Sequence, residues 1–483
     1  LTEDGVAGEG TVNVSDAGLG FDPADNTAIG EGIGSIEGNF DGDLNVVRTA
    51  DGYERPTLAG GSDQLVIDTT DTGGVIVGAN DVSDDDAFST QAGEVVIQGS
   101  DDITFEAPVE MTSADFTLDF SGLEGALNNL TIRDFDNVEE VIGNGAEGLR
   151  INVEISDDVA EEGEDTGLMS SGVEQYVVTD MNDGDHDFNV CDNTQDVLVL
   201  GLQGNQNDTL TFTNVPWGAV NPTILLEGDG YANWDELPKA AGNPDASNVG
   251  TVVAEYFYPG APAQVLISNQ GVAPGETSTG EARPIVVDGI QVENAASLNI
   301  TAEDGNAVIS DITDNGADTG NGLEDVTLTS DFDVTLHLDS DESGDLDSID
   351  ASGVAGNATL VIDANETVDL ADTVLTGIDG IELADNSELT LTIEQIDAVG
   401  LANITHADFD DNNDEATLNV AGLGEDPFSL PAGSSEGVEL GSVTVVDEPA
   451  VTLDAATDLT GATEVIVPAD TAVTMTAEQF MQF

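Results

Sequence analysis

The chain repeats a strand-and-turn unit, and this duplication limits its fold more than any single motif does. Gly380-Ile381-Glu382-Leu383 followed by Leu389-Thr390-Leu391-Thr392-Ile393-Glu394-Gln395 recurs as Glu464-Val465-Ile466-Val467 with Val473-Thr474-Met475-Thr476-Ala477-Glu478-Gln479. The two copies align without a gap, Gln395 on Gln479 and Leu375-Thr376-Gly377 on Leu459-Thr460-Gly461, an offset of 84. A fainter third copy is Gly289-Ile290-Gln291-Val292 with Leu298-Asn299-Ile300-Thr301-Ala302-Glu303. Each copy reads as strand, polar turn, strand, and then a Thr whose hydroxyl is placed to cap a short helical turn.

The rest of the chain has the same grain. Short β-branched runs such as Gln64-Leu65-Val66-Ile67, Glu94-Val95-Val96-Ile97, Leu149-Arg150-Ile151-Asn152-Val153 and Gly250-Thr251-Val252-Val253-Ala254 lie close to Gly, Asp, Asn or Ser. This is the punctuation of short strands and tight turns. Helical periodicity over a dozen residues is almost absent. The expected class is all-β: an irregular β-helix or β-solenoid, or tandem β-sandwich units, with calcium-binding loops. Three regions are expected. Residues 1–204 form a β-rich region, and 285–483 carry the repeated units. Between them, 205–284 hold both tryptophans, Trp217 and Trp234, eight of the 15 prolines and the only lysine, Lys239, and read as an inserted aromatic domain.

Charge narrows the partners. With 98 acidic and 6 basic residues the net charge is −92, so the folded chain repels itself strongly unless cations sit on it. Nucleic acid is excluded as a partner, because its phosphates need Lys and Arg that this chain lacks. Attraction to an anionic membrane fails for the same reason. A solvated acidic coat for life in molar salt competes with calcium as an explanation. Disorder is the weaker alternative, since 39% of residues are hydrophobic and clustered. One cysteine, Cys191, rules out an intramolecular disulfide framework. No run of eighteen apolar residues occurs, so no membrane-inserted helix is expected. The opening Leu1-Thr2-Glu3-Asp4 carries neither Met nor a basic leader, which reads as a removed leader or an excerpt.

The sharpest metal motif is Asp339-Ser340-Asp341-Glu342-Ser343-Gly344-Asp345-Leu346-Asp347-Ser348-Ile349-Asp350. Asp339, Asp341, Ser343, Asp345, Asp347 and Asp350 fall at the ligand positions of an EF-hand loop, Gly344 at its turn and Leu346 at its apolar position. A hard cation such as Ca²⁺ needs six to eight oxygens on a loop able to fold around it. The expected flanks are strands over 334–338 and 358–362, giving a structural calcium loop without the helix pair of a sensor. At an offset of 69 the pattern returns as Asp408, Asp410, Asn412, Asp414 and Asn419, with Asn413 at the turn. The lost carboxylate at the last position predicts a weaker second site.

Other candidates rank lower. Asp180, Asp183, Asp185 and Asp187 around His186 offer ligands out of register, and Asp311, Asp314, Asn315 and Asp318 sit in a Gly-containing turn. Asp84-Asp85-Asp86 reads as a solvated turn. Gly433-Ser434-Ser435-Glu436-Gly437 matches the nucleophile-elbow pattern but lacks the strand before and helix after that an elbow needs. None of His186, His337 and His406 has an evident nucleophile beside it. The chain therefore does not read as an enzyme. Seven Asn-x-Ser/Thr sequons permit glycosylation where the machinery exists.

Asp347-Ser348-Ile349-Asp350-Ala351-Ser352-Gly353-Val354-Ala355-Gly356-Asn357-Ala358-Thr359-Leu360, with the Leu-Thr-x-Thr-x-Glu-Gln ending at 389–395, resembles bacterial surface proteins of the repeats-in-toxin kind. That group includes calcium-dependent surface-layer proteins and adhesins exported by type I secretion. The resemblance covers the carboxyl-terminal two fifths and implies an extracellular, cell-surface life, calcium-triggered folding and self-assembly. The Gly-Gly-x-Gly-x-Asp nonapeptide of that group is absent, and Gly60-Gly61-Ser62-Asp63 is a degenerate echo.

The leading expectation is a secreted structural protein that self-assembles into a surface layer or filament stabilised by Ca²⁺, its partners being further copies and cell-surface polysaccharide. A calcium-dependent adhesin that grips carbohydrate or a surface through 205–284 is the alternative. An extracellular polysaccharide-active enzyme comes third.

Overall fold

The computed structural model describes residues 44–46, 64–70, 75–77, 88–90, 93–105, 108–111, 116–133, 140–146, 148–155, 168–181, 185–193, 197–204, 208–216, 221–228, 247–268, 284–314, 323–339, 346–406, 416–424, 438–446, 448–469 and 471–482. The chain divides into two compact units, Leu1–Leu225 and Leu226–Phe483.

Both units are β-solenoids. Every strand pair recorded within them is parallel, and each strand bonds to the strand that occupies the same place one rung later. In the first unit one ladder runs Gln64–Asp68, Glu94–Gly99, Thr117–Leu123, Glu140–Ile142 and Met169–Ser171. A second includes Val109–Met111, Thr131–Arg133, Arg150–Glu154, Gln175–Asp180 and Val199–Gln203. In the second unit one ladder runs Ala261–Ser268, Ala295–Ala302, Asp325–Ser330, Ser348–Val354 and Val374–Thr376. Another starts with Ser247–Tyr256 and Ile285–Glu293 and continues through Val334–Leu338, Ala358–Ile362 and Gly380–Leu383 to Ile404–His406. A third carries Thr367–Asp369, Glu388–Thr392, Ala416–Leu423, Val438–Val445 and Glu464–Ile466. A sandwich would show antiparallel hairpins; the parallel ladders decide for the solenoid. Described strands from 205–284, such as Ser247–Tyr256 against Ile285–Glu293, pair in register with the rungs that follow them.

Strand alternation sends one face of each rung inward. In Val334–Leu338 the residues Val334, Leu336 and Leu338 are buried, while Thr335 and His337 face outward. Leu336 sits on Leu360 one rung on, and Leu360 on Ile381 after that, all at 0% exposure. Fully burying one such side chain contributes about 1.5–3 kcal/mol. The first unit adds rings to its core. Tyr176 stacks on Phe188 with centroids 4.5 Å apart, Phe188 meets Phe212 edge-on at 5.9 Å, and Phe105 meets Phe120 at 6.3 Å.

The duplicated unit is structurally real at the offset of 84. Thr392 caps the helix Ile393–Val399 and Thr476 caps Ala477–Phe480, each in a reciprocal capping box with the Gln three residues on. The fainter third copy differs. Ala295–Ala302 stays extended through Thr301, and the chain then turns at Asp304, whose φ is 66°, without a helical turn. Rungs turn corners elsewhere on Asn in the same left-handed geometry, as at Asn365 (φ 67°) and Asn386 (φ 58°), because the short amide tolerates it.

Candidate functional site

The expected strands at 334–338 and 358–362 are present on either side of the calcium motif. Asp339 follows the first of them and is half-buried, and Leu346 is buried at 5% exposure. Asp347 is exposed, with its amide bonded to the Glu324 carbonyl and its carbonyl to the Val374 amide, so its backbone already belongs to the rung. Asp341, Ser343 and Asp345 lie outside the described residues, as do Asp408, Asp410, Asn412 and Asp414.

The two residues expected to close the loops, Asp350 and Asn419, are described, and both sit in strands and not in loops. Asp350 lies in Ser348–Val354, where its Oδ1 accepts the Ser352 amide at 2.9 Å. The Ser352 hydroxyl and amide hold this carboxyl below its ordinary value. Asn419 lies in Ala416–Leu423, and its Oδ1 accepts from the Ser442 amide at 2.7 Å and the Ser442 hydroxyl at 3.0 Å, one rung away. The two side chains thus accept from different places, Asp350 from its own strand and Asn419 from the next rung. Among the described residues no group of three or more His, Cys, Asp or Glu is arranged to hold a metal ion.

The true counterpart of Asp350 is in the other unit. Asp119-Phe120-Ser121-Gly122-Leu123-Glu124-Gly125 repeats the pattern of Asp350-Ala351-Ser352-Gly353-Val354-Ala355-Gly356. Asp119 accepts the Ser121 amide at 2.8 Å, matching the 2.9 Å bond from Ser352 to Asp350. In both corners the strand register slips by a residue beside the motif, between Val96 and Gln98 and between Thr327 and Thr329. In both, the residue before the second glycine donates back one rung at 2.7 Å, Glu124 to Gly99 and Ala355 to Ser330. The second glycine then passes so close to the preceding rung that a Cβ on Gly125 would sit 2.2 Å from the Asp101 carbonyl oxygen, and one on Gly356 2.5 Å from the Phe332 carbonyl carbon. An Asp-x-Ser-Gly-Leu/Val-x-Gly search would have paired these corners.

Many other carboxylates have comparable work. Asp102 accepts the Ala126 amide at 2.8 Å, Asp185 the Thr209 amide at 2.9 Å, Asp333 the Asn357 amide at 2.7 Å and Asp379 the Ala358 amide at 3.0 Å. Each satisfies a strand-start donor on an adjoining rung that the ladder leaves over. Asp369, Asp454 and Asp458 instead accept amides two residues on in their own chain. The Thr460 hydroxyl and amide hold the Asp458 carboxyl below its ordinary value.

The three histidines also lie in these ladders. His186 Nε2 is 3.0 Å from the Met181 carbonyl oxygen, His337 Nδ1 is 2.7 Å from Asp363 Oδ1, and His406 Nε2 is 3.4 Å from Asp385 Oδ1. Asp311 accepts the Thr313 hydroxyl at 2.9 Å. The 84–86 run, the 433–437 elbow pattern, Asp183, Asn315 and Asp318 fall outside the described residues, and so do Trp217, Trp234 and Lys239. Of the described aromatics from 205–284, Tyr256 is buried, which pushes its hydroxyl pKa up, and Phe257 and Tyr258 are exposed. Among the described residues no helix is long and apolar enough to cross a membrane.

Compared with protein-family models, curated proteins and solved structures, the chain matches none.

Proposed function

We propose that the chain is a secreted structural protein, a solenoid subunit that assembles into a surface layer or extracellular filament and is stabilised by Ca²⁺. The observation that carries this reading is the use made of the polar side chains. Asp102, Asp119, Asp185, Asp333, Asp350 and Asp379 bind strand amides, and His337 and His406 face carboxylates of adjoining rungs. These groups hold a scaffold together; they do not converge on a substrate. Calcium enters through the charge. A chain with 98 carboxylates and 6 basic residues lowers its self-repulsion by taking up divalent cations, and the 339–350 motif is the densest ligand set at EF-hand spacing. Its partners in this reading are further copies of itself and polysaccharide of the cell surface. The test follows assembly by light scattering and electron microscopy as calcium is added and then chelated. Ordered assemblies that appear with Ca²⁺ and dissolve on chelation support the proposal; assemblies indifferent to both refute its calcium part.

A calcium-dependent adhesin is the second reading, favoured by the exposed Phe257 and Tyr258. Phe257→Ser with Tyr258→Ser would abolish surface binding while leaving the calcium response of the chain in place.

A further inference from the structure

We propose that Asn129 and Asn365 carry N-linked oligosaccharides, and that the fold selects these two among the described Asn-x-Ser/Thr sequons. The described sequons are those at Asn129, Asn299, Asn357, Asn365 and Asn403, whereas Asn13 and Asn207 lie outside the described residues.

Transfer of a sugar needs the acceptor in a particular state. The side-chain nitrogen attacks the anomeric carbon of an oligosaccharide carried on a lipid phosphate. A carbon–nitrogen bond forms, the bond from that carbon to the phosphate oxygen breaks, and the lipid phosphate leaves with the bonding pair while the amide gives up one proton. An amide nitrogen is a poor nucleophile because its lone pair is delocalised into the carbonyl, and it becomes available only by turning out of the amide plane. A nitrogen pinned to a fixed acceptor resists that turn. One in the middle of a paired strand also leaves little room for the transferring enzyme.

Three of the described sequons fail on these grounds. Asn299 stands half-buried within Ala295–Ala302, between Gln264 and Thr327 of the adjoining strands, and its amide donates to the Ala263 carbonyl at 3.3 Å. Asn357 is exposed, but its side-chain amide donates to Asp333 Oδ1 at 3.2 Å, as its backbone amide does at 2.7 Å. Asn403 is exposed, and its amide donates to the Val399 carbonyl at 2.8 Å.

Asn129 and Asn365 share the opposite setting, one in each unit. Both are exposed corner residues with left-handed backbone, at φ 56° and 67°. Neither side-chain amide, nor the hydroxyl of Thr131 or Thr367 two residues on, bonds to a described residue. In both, the sequon threonine opens the next strand, Thr131–Arg133 or Thr367–Asp369, and the residue after it, Ile132 or Val368, is at 0% exposure. The backbone beneath is held. The Leu130 carbonyl accepts the Asn152 amide at 2.8 Å, and the Asn365 amide donates to the Asp385 carbonyl at 3.0 Å. A bulky, solubilising sugar at such a corner interrupts no strand pair. The modification requires export, and to that extent rests on the secreted reading; it needs neither calcium nor assembly.

The first test maps glycopeptides of the full chain purified from the cells that produce it, cut with a Glu-specific protease because six basic residues give trypsin little to work on. Sugar masses are expected on the peptides holding Asn129 and Asn365 and on none holding Asn299, Asn357 or Asn403. An exported chain bare at both asparagines overturns the proposal and leaves the secreted reading standing, whereas a bare chain confined to the cytoplasm overturns both. Sugar on one of the pair alone, or on any of the other three, overturns selection by the fold. The second test offers the folded, unmodified full chain to a purified oligosaccharyltransferase with lipid-linked oligosaccharide. Asn129 and Asn365 should react faster than the other three by about tenfold, since each of those must first give up a hydrogen bond, and short peptides of the five sequons should show no such gap. Thr131→Val with Thr367→Val, which keeps both strand starts β-branched, should abolish both additions without moving the melting temperature. Equal rates at all five in the folded chain overturn the proposal.

Discussion

The corners around Gln395 and Gln479 carry one hydrogen-bonding device in two settings. Gln395 Nε2 donates to the carbonyls of Leu370 and Thr373, each at 2.6 Å. Gln479 Nε2 donates to the equivalent carbonyls of Asp454 and Thr457, at 2.6 and 3.1 Å. In both, the amide oxygen accepts the capping Thr amide, from Thr392 at 2.6 Å and from Thr476 at 2.8 Å. One residue later the copies part. Ile396 is 3% exposed and Phe480 is 66% exposed, followed by Met481 at 80%. The helix of the first copy runs seven residues and that of the second four. Local sequence is enough to rebuild the polar clamp, whereas burial around it depends on what neighbouring rungs supply.

The corners at 119–125 and 350–356 give the complementary case, in which one device recurs in both units with nearly the same distances. The largest expected effect is there. Gly125→Ala and Gly356→Ala each drive a Cβ into the backbone of the preceding rung and should destabilise by about 3 kcal/mol or more, seen as a lower urea midpoint. If either substitution is neutral, the two corners are not equivalent.

Next in size is Gln395→Ala. It strips the donor from two buried carbonyls and half of a capping box, and should cost about 2–3 kcal/mol in global unfolding. Gln479→Ala removes the same bonds beside an exposed Phe480. Its loss is expected chiefly as faster amide exchange at 454–480, with a smaller change in the global midpoint. Equal global effects from the two would mean that the second setting is as firmly held as the first.

The smallest effect concerns acid. The Asp350 and Asp458 carboxyls are held below the ordinary carboxylate value of 3.8, so their folded-state pKa lies under the unfolded one. Their contribution is fully present above the unfolded value and is lost as pH falls through the folded value. Asp350→Asn should therefore lower stability slightly at neutral pH and flatten the acid limb, the difference from the parent chain shrinking as pH falls through the carboxylate range. A difference that persisted undiminished in acid would contradict this assignment.

Strands were the most legible part of the fold. Runs such as Gln64-Leu65-Val66-Ile67 and Glu94-Val95-Val96-Ile97 show their nature locally through β-branching and flanking turns, and Thr392 and Thr476 announce their caps in the same way. Rung pairing was not legible. Thr359 pairs with Gly380, 21 residues on, whereas Ser247 pairs with Ile285, 38 residues on. With so variable a rung there is no fixed period to find in sequence. The same reason hid the strand hydrogen bonds that Asp350 and Asn419 accept. An oxygen at a ligand spacing looks alike whether it awaits a cation or caps a strand amide, and the deciding partner is sometimes a rung away, as Ser442 is from Asn419.

The central claim, that calcium stabilises this acidic scaffold, is tested most directly by thermal unfolding of the full chain in Ca²⁺, in chelator and in molar NaCl. The account predicts a higher melting temperature at micromolar-to-millimolar Ca²⁺, reversed by chelation and not reproduced by molar NaCl. An unchanged melting temperature with and without chelator, or stabilisation by molar NaCl alone, would contradict it.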